Sequence, residues 1–262
     1  MHIDLSGKTA LITGASAGIG LAIARGLAQA GASVTLSARD AQRLNAAVAA
    51  LQAEGLQAQG IAADLATANG CQALIAAVPA TDILINNLGI YGTQDFFALT
   101  DEDWETFFQT NVMSGLRLSR HYAQGMKARG WGRIQFISSE SAINIPADMV
   151  HYGVSKSALQ GLSRGLAKVL AGSGVTVNTI LPGPTRTEGV QTFFANLARE
   201  QGISVPEMEV RFFRENRPSS LIGRFATPEE VANLCVYAAS PQASATTGAA
   251  LRVEGGIVES II

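Results

Sequence analysis

Short apolar runs alternate with longer alanine-rich segments along almost the whole sequence, and this alternation constrains the fold more than any other feature. Each apolar run has the length of a buried strand, and each alanine-rich segment has the length of a helix. Strand and helix in repeated alternation predict βαβ units, in which helices cover both faces of a parallel sheet. Seven runs read as strands: "TALIT", "SVTLSA", "QGIAAD", "DILINN", "RIQFIS", "VTVNTIL" and "AALRV". The sequence therefore predicts an α/β fold with one doubly wound, seven-stranded parallel sheet.

Length and composition narrow the class of protein. The 262 residues are 47% hydrophobic and contain no linker, so we expect a single domain over 1–262. The net charge of -2 and the absence of charge blocks argue against nucleic acid and membrane surfaces as partners. The sequence lacks a signal-peptide pattern and a membrane-spanning apolar run, which predicts a cytoplasmic protein. Cys71 and Cys235 lie in apolar segments without metal-ligand spacing, so we expect buried thiols and no metal site.

Two helix starts carry capping sequences, and one long segment breaks the alternation. The stretches "TDED" from Thr100 and "TPEE" from Thr227 place a threonine three residues before an acid, which predicts a capping box at each. Pro228 suits the first turn of the second helix. The segment 185–225 carries phenylalanines among charges where a strand is expected. Such an insert is either a substrate-binding lid or a surface excursion whose aromatic side chains pack on the core.

A glycine-rich stretch, "TGASAGIG" from Thr13, follows the first predicted strand and leads directly into a helix. Gly14, Gly18 and Gly20 permit a tight turn and a close approach of a ligand to the backbone. The helix N-terminus offers free N–H groups and the positive end of the helix dipole. This context favours the pyrophosphate of a dinucleotide over an ordinary turn, although the G-x-x-x-G-x-G spacing differs from the usual G-x-G-x-x-G.

The stretch "HYGVSK", from His151 to Lys156, places a phenol and an ammonium group four residues apart. If the stretch is helical, Tyr152 and Lys156 lie on one face and can serve one site. A fixed neighbouring cation lowers the pKa of a phenol, which makes the pair a candidate general acid/base. The alternative is a helix with one half-buried tyrosine and one lysine that extends to solvent.

The glycine loop, "NNLG" from Asn86 and "YGVSK" from Tyr152 together resemble the classical short-chain dehydrogenase/reductase family. Further matches in order and spacing are Asp64, Asn111, "ISS" after the fifth strand, "NTILPGPTRT" and "VEGG". The resemblance covers essentially the whole chain. It implies a Rossmann fold, hydride transfer between a ketone and a secondary alcohol, and a homotetramer. The alternative on the same fold is a sensor that binds the nucleotide without turnover.

The resemblance implies four catalytic positions, which are Asn111, Ser139, Tyr152 and Lys156. A ketone that accepts hydride develops negative charge on oxygen, and Tyr152 would supply the proton there. Lys156 would lower the pKa of Tyr152 and bind the nicotinamide ribose. Ser139 would hydrogen-bond the substrate oxygen, and Asn111 would hold a water that links Lys156 to solvent.

The resemblance also implies the cofactor contacts. They are Gly14, Ser16, Gly18, Ile19, Gly20, Ser37, Arg39, Asp64, Leu65, Asn87, Gly89, Pro182, Gly183, Thr185 and Thr187. Folds that bind NAD commonly place an acid after the second strand, whereas an arginine there accommodates the 2′-phosphate of NADP. Ala38 stands in the position of the acid and Arg39 follows it, which implies NADP(H), with NAD(H) as the alternative.

Some of these contacts carry a more detailed expectation. Ser37 would lie near the 2′-phosphate, Asp64 and Leu65 would flank the adenine, and Thr187 would meet the carboxamide. Two residues depart from the family pattern. Leu88 stands where alanine is usual and could crowd its turn, and Thr185 stands where an apolar residue is usual and could change the nicotinamide cleft.

The substrate is the least constrained part of the site. Candidate contacts to a polar or apolar part of it are Glu140, His151, Phe193 and Phe194. The basic stretch "MKARGWGR" from Met126 could meet an acyl carrier protein, but Ser173 stands where carrier-dependent relatives often have a basic residue. We therefore expect a small free ketone or alcohol, with a β-ketoacyl carrier protein as the alternative.

Overall fold

The computed structural model describes residues 2–261 and contains the predicted parallel sheet of seven strands. Its strand order is β3-β2-β1-β4-β5-β6-β7, so the winding reverses between β1 and β4. Ligands of doubly wound sheets bind outside the carboxyl ends of the strands at such a reversal. The strands are β1 (Thr9–Thr13), β2 (Ser33–Ala38), β3 (Ala58–Ala62), β4 (Ile83–Asn86), β5 (Gly132–Ile137), β6 (Val175–Pro182) and β7 (Ala250–Val253).

Helices connect the strands and cover both faces of the sheet. They are α1 (Gly18–Gln29), α2 (Ala41–Ala53), α3 (Ala68–Ala77), α4 (Asp101–Phe108), α5 (Ser114–Ala128), α6 (Val150–Val169), α7 (Glu188–Gln201), α8 (Val205–Asn216) and α9 (Pro228–Ala239). The two predicted capping boxes are confirmed at Thr100 and Thr227, with Pro228 in the first turn of α9. Among the helices of residues 2–261, none combines the length and the apolar character that crossing a membrane requires.

Side-chain alternation along the strands divides the core into two layers. Ile12 of β1 packs with α1, α2 and α9, whereas the preceding Leu11 packs with α3, α5 and α6. The same division holds in β4 for Ile85 and Leu84, because successive side chains of a strand point to opposite faces. One cysteine lies buried in each layer, Cys235 in the first and Cys71 in the second, as predicted.

The segment 185–225 forms a small unit with its own core. Phe194, Met208, Phe213 and Phe225 pack together between α7 and α8. A single parallel bridge pairs Thr185 with Ala226, so the segment leaves and rejoins the main fold at one point. The bridge includes hydrogen bonds from Arg186 N to Ala226 O (2.8 Å) and from Ala226 N to Pro184 O (2.9 Å).

One turn of π-helix, Gln109–Met113, interrupts the long helical segment between α4 and α5. Such turns insert one residue into the regular helical ladder and occur frequently at functional sites. Here the turn carries Asn111, whose side chain is almost completely buried. The helical segment from α4 to α5 is therefore two helices joined by a turn of different pitch.

Candidate active site

The glycine-rich stretch forms a tight loop between β1 and α1. Gly14 and Gly18 have φ angles of 62° and 57°, in the left-handed region that favours glycine. Asn87, which follows β4, fastens the loop because its Nδ2 donates to the carbonyl oxygens of Thr13 and Gly14, both at 3.0 Å. A Cβ atom at Gly20 would lie 2.5 Å from both Asn87 Nδ2 and Gly14 O, so only glycine fits this position.

The loop thus presents backbone at the N-terminus of α1, where no side chain caps the helix. The free N–H groups and the helix dipole suit a phosphate group. Leu88 does not crowd its turn, contrary to the expectation from the sequence. Its backbone N–H donates to Thr13 Oγ1 (3.0 Å) and its side chain packs against the core layer that contains Leu11.

The two charged residues that follow β2, Arg39 and Asp40, have different surroundings. Arg39 is exposed, and within residues 2–261 its guanidinium has no hydrogen-bond or ion-pair partner. The neighbouring Asp40 is the N-cap of α2 and accepts a hydrogen bond from Arg43 N (3.0 Å). The Asp40 carboxylate is therefore engaged in capping, which leaves Arg39 as the charged group available next to a ribose.

Two predicted contacts in this region need correction. Ser37 is 0% exposed, because its place in β2 directs the hydroxyl into the protein interior, away from any phosphate. The side chain of Leu65 is likewise buried in the core and packs with Cys71 and Leu74, so it does not offer a surface to an adenine. Asp64 is exposed as expected, and its Oδ1 accepts a hydrogen bond from Ala66 N (3.2 Å).

Tyr152, near the start of α6, meets Ser139, which follows β5. Burial raises the pKa of Tyr152 to about 12, and a hydrogen bond with the Ser139 side chain opposes the rise. Ser139 is held in turn by the backbone N–H of Ser141, which donates to its Oγ at 3.1 Å. The preceding Ser138 points elsewhere and donates to Lys156 O (2.9 Å), as strand alternation predicts.

Lys156 is buried one turn beyond Tyr152. Its Nζ donates to Ile137 O (2.8 Å) and lies 5.7 Å from the centre of the Tyr152 ring. Burial lowers the pKa of Lys156 to about 8. Burial of the phenol outweighs any lowering of the Tyr152 pKa by Lys156 in this structure, and the ammonium group donates to a backbone carbonyl, so the lowering by Lys156 stays a prediction.

Asn111 braces the loop after β4 against α6. Its Nδ2 donates to Ser155 Oγ (2.9 Å) and Ile90 O (3.0 Å), and its Oδ1 accepts from Ile90 N (2.8 Å). A Cβ atom at Gly89 would lie 3.0 Å from Lys156 Nζ and 3.4 Å from Asn111 Oδ1. The structure therefore brings Asn111, Lys156 and Gly89 together. The role of Asn111 in holding a water stays a prediction.

A cavity of about 540 Å³ is lined by many of the predicted site residues, whereas Asn111, Arg39 and Asp64 lie outside its lining. The predicted residues that line it are Ile19, Asn87, Gly89, Ser139, Glu140, Tyr152, Lys156, Pro182, Gly183, Thr185, Thr187, Phe193 and Phe194. Phe212, one of the phenylalanines of the segment predicted as a lid, also lines it, whereas sequence reasoning missed Tyr91, Arg217 and Phe225. The segment 185–225 contributes four phenylalanines to this wall, so it faces Ser139 and Tyr152 across the cavity.

Thr185 and Thr187 both line the cavity, but their side chains make different contacts. Thr185 is buried and its Oγ1 donates to Gly183 O (2.9 Å), so its hydroxyl is satisfied within its own turn. Thr187 is the N-cap of α7, and its side chain would lie 3.2 Å from a Cβ atom at Gly18. Thr187 thus closes the cavity beside the glycine loop.

Glu140 is buried, and an arginine from the segment 185–225 reaches it. Its Oε1 accepts from Arg217 Nε at 3.1 Å, and the Glu140 side chain is 4% exposed. Burial raises the pKa of Glu140, whereas the charge of Arg217 lowers it. The sequence gives no signal for this ion pair, because the two residues lie far apart in the chain and the path of the segment decides their contact.

His151 is not part of the cavity, which corrects its prediction as a substrate contact. Its side chain is 1% exposed and packs against Phe107, with ring centres 4.1 Å apart, and against Trp104. Neighbouring residues of a helix point about 100° apart, so Tyr152 faces the cavity while His151 faces α4. Burial lowers the pKa of His151, and the charge of Asp103 opposes this shift.

Comparison with known proteins gives consistent matches. The family model described as short chain dehydrogenase matches residues 8–198. The uncharacterized oxidoreductase YvaG of Bacillus subtilis (strain 168) is 44% identical over 100% of both chains. The 3-oxoacyl-[acyl-carrier-protein] reductase FabG of Aquifex aeolicus (strain VF5) is 30% identical over 98% of this chain and 100% of its own. A crystal structure of L-sorbose reductase from Gluconobacter frateurii, complexed with NADPH and L-sorbose, is 34% identical and superposes over 100% of both chains with a TM-score of 0.93.

Proposed function

Because the chain belongs to the short-chain dehydrogenase family of oxidoreductases, we propose that it interconverts a ketone and a secondary alcohol with NADP(H). The observation that carries the proposal is that Ser139, Tyr152 and Lys156 line one cavity, which extends to Ile19 of the glycine loop. The cavity can therefore hold the nicotinamide end of a dinucleotide beside a carbonyl group. The L-sorbose reductase that this chain resembles was crystallised with NADPH and a ketone sugar, which supports the same reaction class.

The chain's own residues fit a dinucleotide at three points. The loop from Gly14 to Gly20 cradles a pyrophosphate, Arg39 is available to a 2′-phosphate, and Lys156 can donate to ribose hydroxyls. When bound, the nicotinamide ring supplies or accepts the hydride. These roles rest on the shape of the loop, on the unpaired arginine and on the buried ammonium group described above.

The side chains at the cavity wall perform the acid/base part of the reaction. Ser139 and Tyr152 hydrogen-bond the carbonyl oxygen, and Tyr152 transfers its proton as negative charge develops there. A pKa of about 12 keeps Tyr152 protonated at neutral pH, so it starts as the acid that reduction requires. Oxidation of the alcohol needs the deprotonated phenol, so its rate rises with pH.

The proposal is tested by following NADPH consumption by the purified protein with a panel of ketones and with β-ketoacyl carrier-protein thioesters. Turnover of free ketones supports the proposed reductase. A strong preference for the thioesters would instead assign the protein to the activity named for its Aquifex aeolicus relative. Tight binding of NADPH without turnover across the panel would contradict the enzyme and indicate a nucleotide sensor.

We expect Arg39 to determine the preference for NADPH over NADH. Removing a charged group that binds a phosphate costs roughly 1.5 to 3 kcal/mol, so Arg39→Ala should lower kcat/KM for NADPH by about tenfold to a hundredfold. Its kcat/KM for NADH should not change, because NADH lacks the 2′-phosphate. Arg120→Ala, at an exposed position of α5, is the matched control. An equal fall with both cofactors, or faster turnover of NADH by the parent protein, would contradict the assignment of Arg39.

We also propose that the segment 185–225 is a lid over the substrate. Its residues Phe193, Phe194 and Phe212 line the cavity, and Phe193 is 61% exposed. Amide hydrogen exchange in α7 and α8 should slow when NADPH and substrate bind together. Exchange that is the same with and without both ligands would show that the segment is a static wall.

A homotetramer is the assembly that we propose for the protein in solution. Exposed apolar side chains at Phe97 (93%) and Ile261 (101%) are consistent with contacts between subunits. Light scattering coupled to size-exclusion chromatography measures the mass directly. A mass equal to that of one or two chains would contradict the tetramer.

A further inference from the structure

A buried ion pair joins the catalytic strand to the segment 185–225. Glu140 directly follows Ser139, and Arg217 follows α8. Their side chains are 4% and 18% exposed, so water screens the pair poorly. Arg217 also lies 5.8 Å from the centre of the Phe212 ring, which holds the guanidinium against the aromatic wall of the cavity.

One oxygen of this pair is unsatisfied. Oε1 of Glu140 is bonded by Arg217, whereas Oε2 is buried and makes no hydrogen bond of ordinary geometry among the described residues, although the Ser141 side chain lies near enough to lower the pKa of this carboxyl group. A buried carboxylate oxygen without a donor is costly, and buried polar atoms in folded proteins are almost always paired. The missing donor is therefore a candidate ligand group.

The position of Glu140 indicates which molecule supplies that donor. Glu140, Arg217, Ser139 and Tyr152 line the same cavity. Glu140 lies near enough to the Tyr152 phenol for its negative charge to contribute, after burial, to the raised pKa of that group. A ketone held by Ser139 and Tyr152 would lie in the cavity that Glu140 also lines, where the carbon next to its carbonyl can meet the Glu140 carboxylate.

We propose that Glu140, positioned by Arg217, accepts a hydrogen bond from a hydroxyl group on the carbon next to the substrate carbonyl. The substrates are then hydroxyketones and the polyols formed from them. This inference rests on the proposed ketone reduction. A carboxylate needs a donor, which the carbonyl oxygen cannot be, and a neutral hydroxyl suits the site because Arg217 already balances the charge of Glu140.

The test compares ketones of matched size with and without the hydroxyl group, namely hydroxyacetone against butanone and dihydroxyacetone against 3-pentanone. The parent protein should prefer the hydroxylated member of each pair in kcat/KM. A hydrogen bond to a charged acceptor accounts for roughly tenfold to a hundredfold in such a ratio. Glu140→Gln should lower the preference by about tenfold or more, through a rise in KM for the hydroxylated member of each pair.

Two further variants keep the test decisive. If Glu140→Gln does not fold, Glu140→Leu combined with Arg217→Met removes the pair without leaving a buried charge, and it should lose the same preference. Glu215→Gln, which removes an exposed carboxylate from α8, should keep it. An unchanged preference in the Glu140 variants overturns this inference alone. Failure of the parent protein to reduce any of the four ketones overturns the proposed function and this inference with it.

Discussion

Replacing Tyr152 with phenylalanine is expected to lower kcat by about a hundredfold to ten-thousandfold, because general acid catalysis contributes that much to proton transfer. The Kd for NADPH should change little, since the substitution removes one hydroxyl group and keeps the ring. The comparison needs initial rates of ketone reduction and a fluorescence titration with NADPH on the same preparations.

Tyr237→Phe is the matched control for this substitution. It makes the same chemical change on α9, at a half-buried position outside the cavity. Its kcat should equal that of the parent protein. If Tyr152→Phe retained most of the activity, another group would have to supply the proton, and the assignment of Tyr152 as the acid would be wrong.

Replacing Lys156 with methionine is expected to abolish most activity and to remove a pH dependence of stability. The folded protein holds the pKa of Lys156 at about 8, below its ordinary value of 10.5. The folded state thus loses this proton at a lower pH than the unfolded state does. Burial of the ammonium therefore destabilises the protein by about 3 kcal/mol at neutral pH. This cost declines as the pH rises above about 8, where the folded state begins to release the proton.

The measurement is the free energy of unfolding of the cofactor-free protein as a function of pH. Subtracting the curve of Lys156→Met from that of the parent cancels the titration of all other groups. The difference should rise in favour of the parent by about 2 kcal/mol between roughly pH 8 and pH 9.5. A flat difference would mean that Lys156 has an ordinary pKa. The variant should also lose about a hundredfold or more in kcat/KM, since a charge that acts on the developing negative oxygen is gone.

The fold was predictable because every local pattern pointed to the same architecture. Apolar runs of strand length alternate with alanine-rich segments of helix length. Thr100 and Thr227 mark helix starts because each forms a capping box with the acid three residues later. The clustering of Asn111, Ser139, Tyr152 and Lys156 followed from the resemblance. The parallel sheet then places the residues that follow its strands at one edge.

The sequence could not show which way a side chain points or whether it is buried. His151 and Tyr152 are neighbours in the chain, and only the packing of α6 decides which of them faces the cavity. Ser37 is polar and Leu65 is apolar, yet both are buried, because their backbone positions determine where their side chains point. The direction of the pKa shift of Tyr152 could not be predicted without knowing how deeply the phenol is buried, because a nearby cation lowers this pKa whereas desolvation raises it.

The bridge between Thr185 and Ala226 divides the chain into the segment 185–225 and the main fold that carries the sheet and the glycine loop. The ends of the segment are already held together there, so the entropy of closing that loop grows only slowly with the number of residues inside it. Insertions and exchanges between these two residues therefore affect the sheet and the glycine loop little. The chain thus combines one continuous sheet with a segment whose length can vary, and the ion pair of Arg217 with Glu140 joins that segment to the main fold directly beside Ser139.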